Sequence, residues 1–358
     1  LEASLNAIKD EFEGEMEINI KEKNKFVGFD AYKKAINKSD VVILASPPGF
    51  RPAHFEYAIN KNKHVFMEKP VATDAHGVRQ VLNSARKAKE KNLNVVVGLQ
   101  RRYQKSYLSA KKLIDRGMIG KISSAHVRWT SAGVWVKERE INQTEMEYQM
   151  RNWYYFNWLC GDHICEQHIH NLDVANWFLN EYPETAQGMG GREIRKDKKF
   201  GEIFDHHYVE FKYKSGAIVS SQCRHQPNTH RQVNETIIGT KGVLEISGNG
   251  NAIIKNHNGD TLFQYNQRGD ESPYQIEHNE LFKSIRNGGY INDGENGAKA
   301  TLTSVMGRMA TYTGKVVEWE EAMNADDNMI PKDLSWNSNP PTLPDSNGYY
   351  KIPKPGSF

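Results

Sequence analysis

Side chains capable of proton transfer are concentrated between Gly161 and Trp177, a stretch that reads Gly-Asp-His-Ile-Cys-Glu-Gln-His-Ile-His-Asn-Leu-Asp-Val-Ala-Asn-Trp. If this stretch is one helix, the 100° step per residue places His163, Glu166 and His170 on one face. A carboxylate four residues before an imidazole can orient the ring and raise its basicity, as a general base near neutral pH requires. We therefore predict one helix in which Glu166 acts on His170. A solvated helical face without chemistry is the alternative.

A second reactive group directly follows an apolar segment. Glu68-Lys69-Pro70 comes after His64–Met67, which the pattern predicts to be a buried strand. A lysine at the carboxyl end of such a strand faces the crevice where parallel sheets bind ligands. It can hydrogen-bond a substrate hydroxyl and stabilise the oxyanion that develops as hydride leaves. A surface lysine in a turn is the alternative.

Composition excludes several classes of protein. The chain has 358 residues, enough for two domains, and its 47 basic and 44 acidic residues leave a net charge of only +3. This balance gives no electrostatic case for nucleic acid or a membrane surface, and no apolar run approaches the ~20 residues of a bilayer span. Cys160, Cys165 and Cys223 form neither a CxxC pair nor a disulfide framework. The compartment, cytoplasmic or exported, stays open.

The first part of the chain alternates strands and helices. We predict a helix at the start of the chain and a short strand and loop at Lys25–Asp30. Buried strands are predicted at residues 40–46, 64–67 and 94–98, and helices at 31–38, 54–62, 74–91 and 107–117. This alternation indicates βαβ units and an open parallel sheet. Because the helical spacing already holds at Leu1, we expect further residues upstream of the printed sequence.

The second part of the chain has the period of antiparallel strands. The predicted strands cover residues 122–130, 184–190, 206–213, 217–223, 234–239, 242–246, 252–255 and 261–265, and helices are predicted at 276–286 and 298–313. We predict a dinucleotide-binding domain at residues 1–120, a substrate-binding and oligomerisation domain at 121–320, and an extended tail at 321–358. The fold class is α/β, with a parallel sheet and a large, mostly antiparallel one.

Together, the motifs resemble those of the Gfo/Idh/MocA family, the relatives of glucose-fructose oxidoreductase and inositol dehydrogenase. The resemblance runs from about residue 25 to 320 and rests on these segments: Ala45-Ser-Pro-Pro with His54 downstream, His64-Val-Phe-Met-Glu-Lys-Pro-Val-Ala, Val97-Gly-Leu-Gln-Arg-Arg-Tyr, Gly120-Lys-Ile, Glu166-xxx-His170-xx-Asp173 and Gly239-Thr-Lys-Gly-Val-Leu. It implies a Rossmann half, here without its N-terminal part, followed by an open, mostly antiparallel sheet. It also implies NAD- or NADP-dependent hydride transfer at a secondary hydroxyl of a sugar, glycoside or cyclitol.

The resemblance also implies roles for individual residues. Lys69 and His170 match the family's catalytic lysine and histidine, and Glu166 replaces an aspartate that is common four residues before the histidine. The expected cofactor contacts are Ser46, Pro47, His54, Glu68, Lys69, Gln100 and Arg101. The expected substrate contacts are Arg102, Trp153, Tyr154, Asp173 and His206, with the aromatic rings suited to a pyranose face. We expect a homodimer or homotetramer formed through the antiparallel sheet.

Two departures from the family pattern leave alternatives open. A Gly-rich phosphate loop does not occur near the start, and Gly188-Met-Gly-Gly191 lies in the antiparallel half, where it cannot form a first βα turn. Histidines also crowd the central motif, so His163, Glu166 and His170 could instead bind a divalent metal for lyase or hydrolase chemistry. Glycoside cleavage through transient oxidation and a non-catalytic oligomeric relic are further alternatives.

Overall fold

The computed structural model describes residues 1–14 and 18–356. The helices are α1 (Glu2–Glu11), α2 (Ala31–Ile36), α3 (Arg51–Asn60), α4 (Ala75–Glu90), α5 (Lys105–Asp115), α6 (Glu145–Arg151), α7 (Asn157–Cys160), α8 (His163–Glu166), α9 (Ile169–Leu179), α10 (Pro273–Arg286), α11 (Gly294–Thr313) and α12 (Trp319–Asn324). The strands are β1 (Val41–Leu44), β2 (His64–Met67), β3 (Val95–Val97), β4 (Ile122–Ser131), β5 (Pro183–Gly191), β6 (His206–Tyr213), β7 (Ile218–His225), β8 (Gln232–Gly239), β9 (Gly242–Ser247), β10 (Ala252–Asn256), β11 (Thr261–Tyr265) and β12 (Val317–Glu318).

Strands β1, β2 and β3 form a parallel sheet in that order, which confirms the predicted βαβ arrangement. Alternate residues of β2 face opposite ways: Val65 packs in the main core, whereas Phe66 packs with Val96 and with Leu281 of α10. Burial on both faces explains why these strands are continuous apolar runs. α10 lies in the part of the sequence assigned to the second domain, yet it covers one face of the first sheet.

The remaining nine strands form one open sheet in the order β11-β10-β9-β8-β4-β7-β6-β5-β12. Its pairs are antiparallel except for β4 and β7, which run parallel. Burial alternates along β6, where His207, Val209, Phe211 and Tyr213 face the core. Helices α9 and α11 pack on this face. The predicted α/β class with a large, mostly antiparallel sheet is therefore confirmed.

The structure corrects two local predictions. Lys25–Asp30 is not a strand; it is a bend and turn in which Gly28 has a φ of 99°. The stretch from Gly161 to Trp177 is not one helix, because the amides of Gln167 and His168 both bond to the carbonyl of His163 at 3.0 and 3.1 Å. This widened turn separates α8 from α9, so the helical phase does not continue across it.

From residue 325 to residue 356 the chain forms no helix or strand, and it is anchored on the protein. Tyr350 is buried against Phe156, and Met329, Ile330 and Leu334 pack on the same aromatic cluster. Across the described residues, no helix has the length and apolar character needed to cross a membrane.

Candidate active site

Lys69 and Glu166 form an ion pair where the two sheets meet. Lys69 leaves the carboxyl end of β2 and Glu166 ends α8. The Lys69 Nζ atom donates to the Glu166 Oε1 at 2.9 Å and to its carbonyl oxygen at 2.5 Å. Both side chains are about nine-tenths buried, with exposures of 11% and 10%. The pair is therefore shielded from bulk water and firmly placed.

His170, on the first turn of α9, lies beside this pair without bonding to Glu166. Its ring stacks on Trp129 of β4, with centroids 6.0 Å apart, and its Nδ1 is buried with no hydrogen-bond partner among the described residues. Burial, and next the charge of Lys69, lower the pKa of His170 well below 6.5. The expectation that Glu166 orients this ring and raises its basicity is therefore wrong, because the carboxylate is turned toward Lys69. The imidazole is neutral at neutral pH and can accept a proton.

Two predicted ligand contacts, Arg101 and Arg102, are instead engaged in ion pairs within the protein. The buried Arg101 guanidinium pairs with Glu235 of β8. Arg102 binds Asp173 of α9 through two parallel bonds of 2.8 Å. Asp173 is 1% exposed, and a buried carboxylate requires such a partner. The cofactor role of Arg101 and the substrate roles of Arg102 and Asp173 are thus not supported, because these charges satisfy one another.

Ser46, Pro47 and His54 border one apolar cavity of about 480 Å³ beside β1. The Ser46 Oγ and the His54 Nδ1 are 3.1 Å apart, and the His54 ring stacks on Tyr32 with centroids 4.0 Å apart. Burial, and next Arg51, lower the pKa of His54 to about 4. His54 is therefore an uncharged part of the cavity wall that positions Ser46.

Glu68 and Gln100 lie at the carboxyl ends of the neighbouring strands. The Glu68 Oε2 accepts a hydrogen bond from the Lys69 amide at 3.2 Å. It also lies against Gly98, where the Cβ of any larger residue would come within 2.8 Å of that oxygen. The Gln100 Nε2 donates to the Tyr274 hydroxyl at 3.1 Å, while its Oε1 is buried without a partner among the described residues. Glu68 thus supports the lysine loop, and the Gln100 amide oxygen remains available as an acceptor.

The predicted sugar-binding residues have different surroundings. Trp153 is partly exposed and packs edge-on against Trp135, with ring centroids 5.6 Å apart. Tyr154 is 1% exposed and its hydroxyl lies 2.9 Å from the His225 Nε2, so it forms a wall and not an exposed platform. His206 lies 2.7 Å from Asp205 Oδ1 and is therefore already paired within the protein.

The alternative metal set of His163, Glu166 and His170 is not brought together. His163 turns inward to Asp162 and His207, whereas Glu166 binds Lys69. In residues 1–14 and 18–356, the group whose ligand atoms lie close enough for one ion is Asp162, His163 and His207. The widened turn between α8 and α9 separates His170 from the other two residues. Within α8, Glu166 is directed to Lys69 and His163 to Asp162.

Sequence reasoning missed several buried polar residues near the site. Glu277 of α10 lies near Glu68, and burial followed by that carboxylate raises its pKa to about 9. His225 supports Tyr154, and Glu235 neutralises Arg101. A signal existed for the inward direction of His207, since it alternates with the apolar Val209 and Phe211. The sequence carries no such signal for Glu277, because a glutamate at its position in α10 is equally compatible with an exposed side chain.

Comparisons with known proteins agree with this architecture. Residues 5–98 match the Gfo/Idh/MocA oxidoreductase family with its NAD-binding Rossmann fold, and residues 107–245 match the Gfo/Idh/MocA C-terminal domain. The inositol 2-dehydrogenase of Salmonella typhimurium is 27% identical over 270 residues, which is 73% of this chain and 71% of that protein.

Two crystal structures have a similar fold. The aldose-aldose oxidoreductase from Caulobacter crescentus, complexed with glycerol, superposes with a TM-score of 0.70 at 18% identity over 89% of both chains. The scyllo-inositol dehydrogenase from Lactobacillus casei, with bound NAD(H) and scyllo-inositol, gives 0.65 at 22% identity over 89% of both chains. The chain is a dehydrogenase that uses NAD or NADP. This excludes the alternative of a non-catalytic oligomeric relic. It belongs to the Gfo/Idh/MocA family of oxidoreductases.

Proposed function

We propose that this enzyme transfers a hydride between NAD or NADP and a secondary hydroxyl group of a sugar, glycoside or cyclitol. The observation that carries the proposal is the shielded Lys69–Glu166 pair with a neutral His170 beside it. Relatives named as inositol and aldose oxidoreductases support a polyhydroxylated substrate.

The three residues have complementary roles. Lys69 uses two of its three N–H bonds on Glu166, so the third can donate to the substrate oxygen. During oxidation, the hydroxyl proton passes to His170, a C=O bond forms, and the carbon-bound hydrogen leaves with its electron pair. The cofactor supplies the hydride acceptor. Lys69 stabilises the negative charge that develops on the oxygen, and Glu166 keeps the ammonium group in place. Reduction reverses each transfer.

The described residues fit a nicotinamide cofactor at the carboxyl ends of the first sheet. The cavity beside β1 offers apolar walls and the Ser46 hydroxyl, and the buried Gln100 Oε1 lacks a partner among the described residues. Ser46, Pro47, Glu68 and Lys69 would hold the group, with His54 positioning Ser46. We also propose that Trp153, which is partly exposed, stacks on the sugar.

The test is a coupled absorbance assay with purified protein. NAD⁺ and NADP⁺ are each combined with myo-inositol, scyllo-inositol, aldoses and methyl glycosides, and reduced cofactor is followed. We expect turnover with at least one polyol, and a fall of about 10²–10⁴-fold for Lys69→Met and His170→Ala. Lys38→Met, which changes an exposed lysine after α2, is the matched control. Rates in both site variants equal to those of the control would refute the site.

We also propose that the half-exposed face of the nine-stranded sheet pairs between subunits as a homodimer or homotetramer. This face is polar but broad, with Arg128, Gln222 and Thr236 on adjoining central strands. Light scattering after size-exclusion chromatography should give a mass of two or four chains. A monomeric mass at micromolar concentration would contradict this assembly.

A further inference from the structure

Three fully buried side chains converge at the start of α8. They are Asp162 and His163 at the start of the helix and His207 on β6, with exposures of 0%, 0% and 3%. One ligand atom from each residue lies within 4.8 Å of the others. The two imidazole centroids are 4.7 Å apart.

The hydrogen bonds around His207 determine which ring nitrogen carries hydrogen. Its Nδ1 lies 2.9 Å from the Thr311 Oγ1. The Thr311 hydroxyl hydrogen is directed to helix carbonyls, those of Gly307 at 3.1 Å and Arg308 at 3.0 Å. We therefore assign the ring hydrogen to Nδ1, which donates to Thr311 and leaves a lone pair on Nε2 of the neutral ring. This nitrogen lies 3.3 Å from the Asp162 Oδ2, and no hydrogen bond joins the two atoms.

The same reasoning applies to His163. Its Nδ1 lies 2.8 Å from the Asp162 Oδ1, and an ionised carboxylate can only accept, so Nδ1 is the donor. His163 Nε2 then carries a lone pair and is buried without a partner among the described residues. Asp162 Oδ2 accepts from the Tyr312 hydroxyl at 2.6 Å and the Phe204 amide at 3.0 Å. A buried acceptor without a donor is unfavourable.

We propose that a divalent transition-metal ion of the zinc type binds between the Nε2 atoms of His163 and His207 and the Oδ2 of Asp162. Two imidazole nitrogens and one carboxylate oxygen are ligands that zinc prefers, and a water molecule or the Tyr312 hydroxyl can complete the tetrahedron. The other nitrogen of each ring is already fixed by Asp162 or Thr311, which is the supporting contact that metal-binding histidines usually have. The ion supplies the electron-pair acceptor that the two buried Nε2 atoms lack.

The proposed ion has a structural role. It ties α8 to β6 only three residues before Glu166, and so fixes the carboxylate that holds Lys69. It also fixes Asp162, whose φ of 71° and ψ of 163° are rare for a residue with a side chain. The site is separate from the proton-transfer residues, so its test does not depend on the proposed function.

The experiment titrates chelator-treated protein with Zn²⁺ by calorimetry and with Co²⁺ by visible absorbance. We expect one saturable Zn²⁺ equivalent per chain, a tetrahedral Co²⁺ spectrum, and a rise in Tm that a chelator reverses. His207→Gln should weaken Zn²⁺ binding at least tenfold. The matched control is His206→Gln, because this neighbouring ring projects from the opposite face of β6 to Asp205 and should leave the affinity unchanged.

A milder variant covers the case in which His207→Gln does not fold. Thr311→Val keeps the shape of the residue but removes the bond that orients His207, so Zn²⁺ affinity should fall about tenfold while circular dichroism is unchanged. Absence of saturable Zn²⁺ and Co²⁺ binding by the wild-type chain would overturn the proposal. A proton on the His207 Nε2 would then account for its position beside the Asp162 carboxylate. Equal losses in the His206 and His207 variants would also overturn it.

Discussion

The partner of Glu166 can be identified by a double-mutant cycle. In Glu166→Gln, Lys69 keeps the backbone carbonyl bond of 2.5 Å and exchanges a charged acceptor at 2.9 Å for a neutral one. A charge-assisted hydrogen bond contributes ~1.5–3 kcal/mol and a neutral one ~0.5–1.5, so the difference is about 1–2 kcal/mol. At 1.36 kcal/mol per tenfold, kcat should fall about 5- to 30-fold.

The cycle compares Glu166→Gln, Lys69→Met and the double variant in the cofactor absorbance assay with the best polyol found. If Glu166 acts only by holding Lys69, its substitution has no further effect once Lys69 is gone. The double variant should then match Lys69→Met within about twofold. A double variant slower than Lys69→Met by the whole Glu166→Gln factor would refute this reasoning, and would show that the carboxylate acts through another group such as His170.

Three further predictions concern stability and are measured by urea unfolding. Folding lowers the pKa of His54 from 6.5 to about 4, so between these pH values the unfolded chain binds one more proton than the folded chain. The free energy of unfolding should therefore fall by about 3 kcal/mol from pH 6.5 to pH 4. His54→Phe should remove this part of the pH dependence, and an unchanged profile would contradict the prediction. Asp173→Asn should lower the free energy of unfolding by about 3 kcal/mol, because it leaves Arg102 unpaired, and should change KM little. A large rise in KM at unchanged stability would instead support a substrate role for Asp173. Gly49→Ala should lower the free energy of unfolding by about 1–3 kcal/mol or more, because the new Cβ would lie 2.1 Å from the Trp158 carbonyl oxygen. Gly191→Ala should lower it less, because the nearest atom to its new Cβ is 3.5 Å away. Equal losses of stability in the two variants would refute the steric argument.

Much of the fold was predictable because its signals are local. Apolar runs and turn residues located β1–β11 to within a few residues, and the Glu68-Lys69-Pro70 turn placed Lys69 at a strand end. Residue spacing could not reveal the widened turn after Glu166, because a change of hydrogen bonding within a helical stretch depends on surrounding contacts. The direction of Glu166 was therefore mispredicted.

A second limit on prediction from the sequence was that the partners of several buried charges are distant in the chain. Arg101 and Arg102 are adjacent and equally basic, and their pairing with Glu235 and Asp173 follows from how β8 and α9 pack against the loop after β3. Spacing carries no information on such pairings. Family resemblance could suggest that an arginine faces a ligand, but it could not show that both guanidinium groups are already neutralised inside the protein.

The packing of α10 on the first sheet also constrains the order of events during synthesis. Phe66 and Val96 are translated early, whereas Leu281, which completes their cluster, emerges from the ribosome about two hundred residues later. Until then, one face of the parallel sheet has no cover from this helix, and the nascent chain carries an apolar surface open to chaperones. The dinucleotide-binding half therefore cannot reach its final core during its own translation, and a gene cut after residue 120 should yield an aggregation-prone fragment, not an independent domain.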